Sequence, residues 1–308
     1  MTAIVMTTLA AAAQARPTLE LKNLRAEVEI VPEDRADFAI SIDMPSAQGM
    51  IDKNGAQGQA PTVDIRGENA RIEANWNTGV PTFYVAASTK GYMDIAGKKA
   101  AAHEPQPHPA GLPHIRILAP KAFTIITNAQ VFGHIGPSQS LKIVDNGRGD
   151  WSIDAVARDV DIKGHGLANF HLANVGDASF DMFGTASLDC GDARTLDADL
   201  SGAGDVMVGH VAGKAFIVVA GIGDVTAQSI SGRADITIMN AGNVRVLGGT
   251  LPDLTVQSID GLGSVDVAGT VGDADINIGS KTRVHLHRVT GRLKSKTRQA
   301  ALLEIDKP

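Results

Sequence analysis

Apolar residues alternate with small or polar ones at a period of two through the C-terminal half of the chain, and no stretch sustains a helical period. Glycines punctuate the pattern. Gly149, Gly166, Gly184, Gly204, Gly223, Gly242 and Gly263 follow one another at 17, 18, 20, 19, 19 and 21 residues, and Gly133 extends the row one step earlier. The positions two and four places after each ladder glycine, from Trp151 and Ile153 to Val265 and Val267, are all apolar. A second alternating run follows in each repeat: Ala215/Ile217/Val219, Ala234/Ile236/Ile238 and Ala274/Ile276/Ile278, slipping to Leu254/Val256 after Gly242.

Two short strands per repeat cannot bury an apolar face alone, but repeats stacked at about 4.8 Å share a continuous interior. Sequence-related strands then pair in parallel, and a propeller would need about 40 residues per blade. The fold class expected is therefore all-β: a right-handed parallel β-helix of about 19 residues per coil, with Val206, Val225, Val244 and Val265 in one interior row. The turns repeat as Gly202-Ala203-Gly204-Asp205, Gly221-Ile222-Gly223-Asp224, Ala241-Gly242-Asn243 and Gly261-Leu262-Gly263-Ser264. Glycine is expected to supply positive φ there, and Asp, Asn or Ser to bond the local backbone. A calcium ladder is the functional alternative. Its period is nine residues, however, and the acidic row here fades from Asp to Asn to Ser, so turn geometry is the reading taken.

Upstream, residues 19–42 alternate as two strands about a polar turn at 31–35, and 62–66, 82–86, 114–118 and 124–127 read as further strands. Residues 52–61 and 97–113, the latter carrying Pro105, Pro107, Pro109 and Pro113, read as exposed loops. Residues 16–130 are thus early coils or a β-rich cap over the first rung, and 131–308 the glycine-ladder solenoid with a basic last coil. Residues 4–13 form a short apolar stretch, and Ala13-Gln14-Ala15 precedes Arg16-Pro17, so 1–15 reads as an export signal without a basic leading segment.

The 308 residues are 44% hydrophobic and 20% charged, which excludes an acidic disordered chain. A single cysteine, Cys190, excludes an internal disulfide framework and any cysteine zinc site, and is read as a small buried hydrophobe. A net charge of −6 offers no global field for nucleic acid, and no apolar run reaches the roughly 18 residues of a membrane span.

Candidate chemistry is sparse. His103, His108 and His114 fall in or beside the proline-rich loop. His285 and His287 share one strand face, but no nearby Asp, Glu or Cys completes a ligand set, so they are read as an outward pair with neither metal nor cofactor expected. Asp154, Asp159, Asp161, Asp197 and Asp199 have the types and spacing for glycoside or polyuronide chemistry, yet a solvated exterior produces the same spacing, and no catalytic residue is assigned. The charge asymmetry is larger. Lys281, Arg283, Arg288, Arg292, Lys294, Lys296 and Arg298 give residues 280–298 a charge of +7 with no acid, leaving −13 elsewhere. Such an end suits anionic headgroups, envelope polysaccharide or an acidic protein partner; it equally suits a charged terminal coil that blocks end-to-end stacking.

The run Leu200-Ser201-Gly202-Ala203-Gly204-Asp205-Val206, echoed at 220–225 and 241–244, resembles the repeated signature of the head-GIN-domain (auto-transporter adhesin) family. Residues 21–42 resemble that family's opening strand pair, and 112–120 its hydrophobic strand and proline before the solenoid. Asn243 and Ser264 depart from the signature. The resemblance implies an exported bacterial β-helix, periplasmic, at the cell surface or secreted, and carries over no catalytic residue. The function expected is a non-enzymatic cell-envelope scaffold or adhesion-type binding module, with a polysaccharide-active enzyme as the alternative; no nucleic-acid partner is expected, and homo-oligomerisation stays open. Chain recovered from cells should begin at Arg16 by N-terminal mass spectrometry, and an intact Met1 would contradict processing there.

Overall fold

The computed structural model describes residues 16–43, 61–74, 112–259, 261–279, 281–297 and 302–306. The expected strand at 82–86, the loops at 52–60 and 97–111, the export signal, His103, His108 and Arg298 lie outside these residues. The chain is a parallel β-solenoid of about nine turns spaced ~19 residues apart. Among the described residues there is no α-helix, hence none long and apolar enough to cross a membrane.

Two long ladders run the length of the stack. One takes in the second halves of Thr18–Glu33 and Ala122–Ile135 and continues through Arg148–Ile153, Leu167–Leu172, Ser187–Cys190, Val206–Val211, Val225–Ile230, Asn243–Val246 and the first half of Ser264–Ile278 to Arg283–Val289 and Leu303–Ile305. The other takes in the first halves of Thr18–Glu33 and Ala122–Ile135 and continues through Ser138–Asp145, Val156–Gly164, Val175–Met182, Ala193–Leu200, Ala215–Val219, Ala234–Ile238, Thr250–Ser258 and the second half of Ser264–Ile278 to Leu293–Thr297. Thr18–Glu33 serves both because its register on Ala122–Ile135 shifts between Lys22 and Arg25, where Asn23 takes φ 50°, a left-handed geometry that Asn tolerates. Coil-on-coil parallel pairing is thus already present at Thr18. The first edge of the solenoid is closed by the only antiparallel pairings among the described residues, Ala39–Asp43 on His114–Pro120 and Thr62–Arg66 on Asn69–Glu73.

Parallel in-register pairing turns sequence period into spatial columns. Trp151, Phe170, Leu188, Val206, Val225, Val244, Val265 and Val284 stand one above another, and so do Ile135, Ile153, Leu172, Cys190, Val208, Ala227, Val246, Val267 and Leu286. All are buried. Each of these columns is apolar because every member touches its equivalents above and below, so a polar side chain would face apolar neighbours on both sides. Cys190 fits this role. Burial, reinforced by the charges of Asp189 and Asp192, pushes its thiol up to about 12, which makes it an unreactive core residue.

The glycine ladder is two columns rather than one. Gly166 lies over Gly147, Gly184 over Gly166, and Gly202 over Gly184; Gly204, Gly223, Gly242 and Gly263 form the neighbouring column, with Ala168 pairing Gly149. The irregular steps of 17 and 20 residues are where the sequence row crosses between them. A shift of two residues keeps every side chain on its own face, so the apolar positions counted from each glycine are still interior. Gly133 belongs to neither column: it pairs Trp151, and a Cβ there would overlap the indole.

The reason for the glycines also differs from the expectation. Of the seven, only Gly149 has a positive φ, 131°. A Cβ on Gly223 would instead overlap the carbonyl oxygen of Gly204 one coil below, and Gly204, Gly242 and Gly263 meet their lower neighbours in the same way. Close approach of stacked backbone, more than turn dihedral, excludes a side chain.

One carboxyl is interior. Asp145 Oδ2 accepts the Trp151 indole N–H at 2.9 Å and Oδ1 the Gly147 N–H at 2.7 Å, which anchors the largest core side chain to a turn. Burial raises the Asp145 pKa, against these two bonds, which lower it.

Gly223→Ala should cost more than the roughly 1 kcal/mol scale of ordinary glycine effects, and Ile236→Asp should unfold several coils, both read by urea denaturation. Unchanged midpoints would contradict the stacking. For Asp145, a folded-state pKa above the unfolded value near 3.8 means that the proton favours the folded state. That contribution is complete below the unfolded value and is lost as pH rises through the folded one. Wild type should therefore lose stability relative to Asp145→Asn, which cannot ionise, as pH rises from about 4 towards neutrality. A difference that is flat with pH, or that moves the other way, would contradict the assignment.

Candidate functional site at the last coils

The basic end proves to be a collar. Arg283 stands over Ser264 on the first face, Arg288 over Thr270 past that strand's bulge, and Lys296 over Asn277 on the second face. Successive strands of one coil carry these cations to different sides, so closeness in sequence does not become one patch. Two of the seven are paired: Arg292 Nη2 lies 2.8 Å from Asp273 Oδ2, and Lys294 Nζ 2.8 Å from Asp275 Oδ2. Their side chains are 91% and 81% exposed, so these pairs contribute little stability but do neutralise local charge. Lys281, Arg283, Arg288 and Lys296 are exposed and have no carboxylate partner among the described residues. Leu293–Thr297 is also the last strand of its ladder, and its inward-facing positions end the core column in Ser295 and Thr297. A lysine-bearing edge with polar inward residues discourages pairing with another chain.

The reading of His285 and His287 needs correction. Two carboxylates do complete their surroundings, one from the coil below and one from the coil above. Register places Asp266 directly beneath His285, and the register of Leu303–Ile305 on Val284–Leu286 carries Asp306 to the His287 position. The two imidazoles lie with centroids 4.4 Å apart and planes 38° from parallel. Asp266 Oδ1 is 3.6 Å from His285 Nδ1 and 3.3 Å from His287 Nε2. On the opposite side His285 Nε2 donates to Asp306 Oδ1 at 3.0 Å, and His287 Nδ1 lies 3.1 Å from Asp306 Oδ2. The hydrogen bond to Asp306, with the charges of Asp306, Asp266 and Glu304, raises the His285 pKa, and the same contact lowers that of Asp306. Sequence reasoning missed the two acids because they lie 19 and 21 residues from His285. The coil period itself was the signal that would have found them.

Of the other carboxylates, Asp159 and Asp161 are engaged by side chains elsewhere in the stack. Asp159 accepts from Ser140 at 2.7 Å and pairs with Arg16, and Asp161 pairs with Lys142 at 2.6 Å. Asp197 and Asp199 share a face, and burial, followed by the charge of Asp199, raises the Asp197 pKa. In the turns, Asp205 Oδ1 accepts the Asp224 N–H at 2.9 Å and Asp224 Oδ1 the Asn243 N–H at 3.0 Å, while the Ser264 hydroxyl donates to Asn243 Oδ1 at 2.7 Å. These side chains bond the next coil rather than their own turn. A surface groove of about 550 Å³ on this corner is lined by His165, Leu167, Phe183, Ile222 and turn residues, with no carboxylate.

Compared with known proteins, the chain matches no family model, no curated protein and no solved structure.

Proposed function

We propose that the chain is an exported, non-enzymatic β-solenoid that acts as a cell-envelope scaffold or adhesion-type binding module, in the periplasm, at the cell surface or secreted. The observation that carries this reading is the division between inside and outside. The interior columns are filled mainly by Val, Ile, Leu, Ala and a few aromatic side chains, all buried, which among the described residues leaves no lumen for a substrate, so recognition uses the outer surface. There Lys281, Arg283, Arg288 and Lys296 form a collar of cations without carboxylate partners among the described residues, on a chain whose net charge is −6. An anionic envelope polysaccharide, acidic protein or anionic membrane surface meets that end first. The sequence resemblance to head-GIN-domain proteins points the same way.

A polysaccharide-active enzyme is the weaker reading. The Asp197 and Asp199 pair favours it, because two neighbouring carboxylates, one of them with its pKa raised by burial and by the charge of the other, are a glycosidase arrangement. The groove beside the glycine turns, however, lacks carboxylates, and neither Asp197 nor Asp199 lines it.

Replacing Lys281, Arg283, Arg288 and Lys296 with Gln should weaken attachment to envelope fractions at low ionic strength by up to about 1 kcal/mol per cation. Gln at Arg292 and Lys294, already neutralised by Asp273 and Asp275, should do less, and salt should erase the difference. Equal attachment by wild type and the fourfold variant would reduce the collar to edge protection.

A further inference from the structure

We propose that Asp266, His285 and His287 form a binding site for a divalent transition metal of the zinc class, with Asp306 as the carboxylate that orients both imidazoles. A carboxylate only accepts, so the nitrogens facing Asp306, His285 Nε2 and His287 Nδ1, are the protonated ones of the neutral rings. The remaining nitrogens, His285 Nδ1 and His287 Nε2, then carry lone pairs, and both point at Asp266 Oδ1. That oxygen is shielded from solvent and receives no hydrogen bond. Three lone-pair atoms from three side chains thus lie within 4.8 Å of one another, with no donor between them. The arrangement calls for a cation.

Dimensions and chemistry narrow the choice. Ligands about 2.0–2.1 Å from a tetrahedral ion stand about 3.3 Å from one another. The two nitrogens stand 3.3 and 3.6 Å from Asp266 Oδ1. Two imidazoles and one carboxylate suit zinc and its neighbours in the first transition row, whereas calcium and magnesium prefer six or more oxygens. A His₂Asp set leaves a fourth position for water, and Asp306 supplies the carboxylate–histidine contact that fixes tautomer and ring orientation in such sites.

The surrounding charges agree. Glu304, directly over His285, adds negative charge, while Arg245, directly under Asp266, is held by Asp224 at 3.2 Å. The metal's role is structural. Asp266 and the histidines come from successive coils, and Asp306 belongs to the next layer, just beyond the three-residue strand Leu303–Ile305. A bound ion staples the coil of Asp266 to the coil of the histidines and, through Asp306, steadies that terminal strand.

The test uses the full chain stripped with chelator and titrated with Zn²⁺ by calorimetry and with Co²⁺ by visible absorption, which reports nitrogen and oxygen ligation directly. One ion per chain is expected. His287→Gln and Asp266→Asn should abolish binding, and Asp306→Asn should weaken it about 10–100-fold. All three positions are on the outer face, so circular dichroism of the metal-free variants should match wild type and separates lost ligands from lost fold. Zn²⁺ should also slow amide exchange in Leu303–Ile305 in wild type only. Absence of binding, or binding retained at full strength in both His287→Gln and Asp266→Asn, would overturn the site. So would imidazole nitrogen resonances showing both rings doubly protonated at neutral pH and unmoved by Zn²⁺, because protons would then fill the gap.

Discussion

Every coil of this molecule must pair its backbone with the coil below and the coil above, at about 4.8 Å, and the rest of the structure follows from that requirement. Residues roughly one period apart become contact neighbours, so each position along the coil is a column with a single chemistry. Interior columns are apolar wherever no partner is at hand, because a polar member would be unpaired against both neighbours, and the interior Asp145 is held by two hydrogen bonds. The turn columns are glycine, because the carbonyl oxygen one coil below occupies the space of a Cβ. The row of Asp205, Asp224, Asn243 and Ser264 is polar because each side chain bonds the next coil at the point where strand pairing stops.

What could be read from the sequence was whatever the period and the two-residue alternation encode together. The row Val206, Val225, Val244 and Val265 is one interior column, as the period and the alternation imply. The split of the glycine ladder was hidden because a shift of two residues preserves the face, so a misaligned count still lands on buried positions. The collar was hidden because sequence clustering says nothing about which side of a coil a residue occupies. Asp266 and Asp306 were missed for the complementary reason: metal-ligand spacing was sought along the chain, whereas in a solenoid it is set between coils.

The division between a packed interior and a decorated exterior also organises function. With the interior of the described coils filled by side chains, a ligand or a metal ion can reach only the outward columns. There a stack of coils can bring two imidazoles and two carboxylates from three layers together without disturbing the core. Both candidate features lie in the last described coils.

The central claim is coil-on-coil register. It is tested most directly by spin-label distances along one outward column: His134, Ser152, His171, Asp189, Met207, Thr226, Arg245, Asp266. With Cys190→Ser as background, a nitroxide at His134 paired in turn with one at Asp189, Thr226 or Asp266 lies three, five or seven coils away. The account predicts distances that grow linearly, at about 4.8 Å per coil. Distances that plateau or fall with sequence separation, as strands folding back into a sandwich would give, would contradict it.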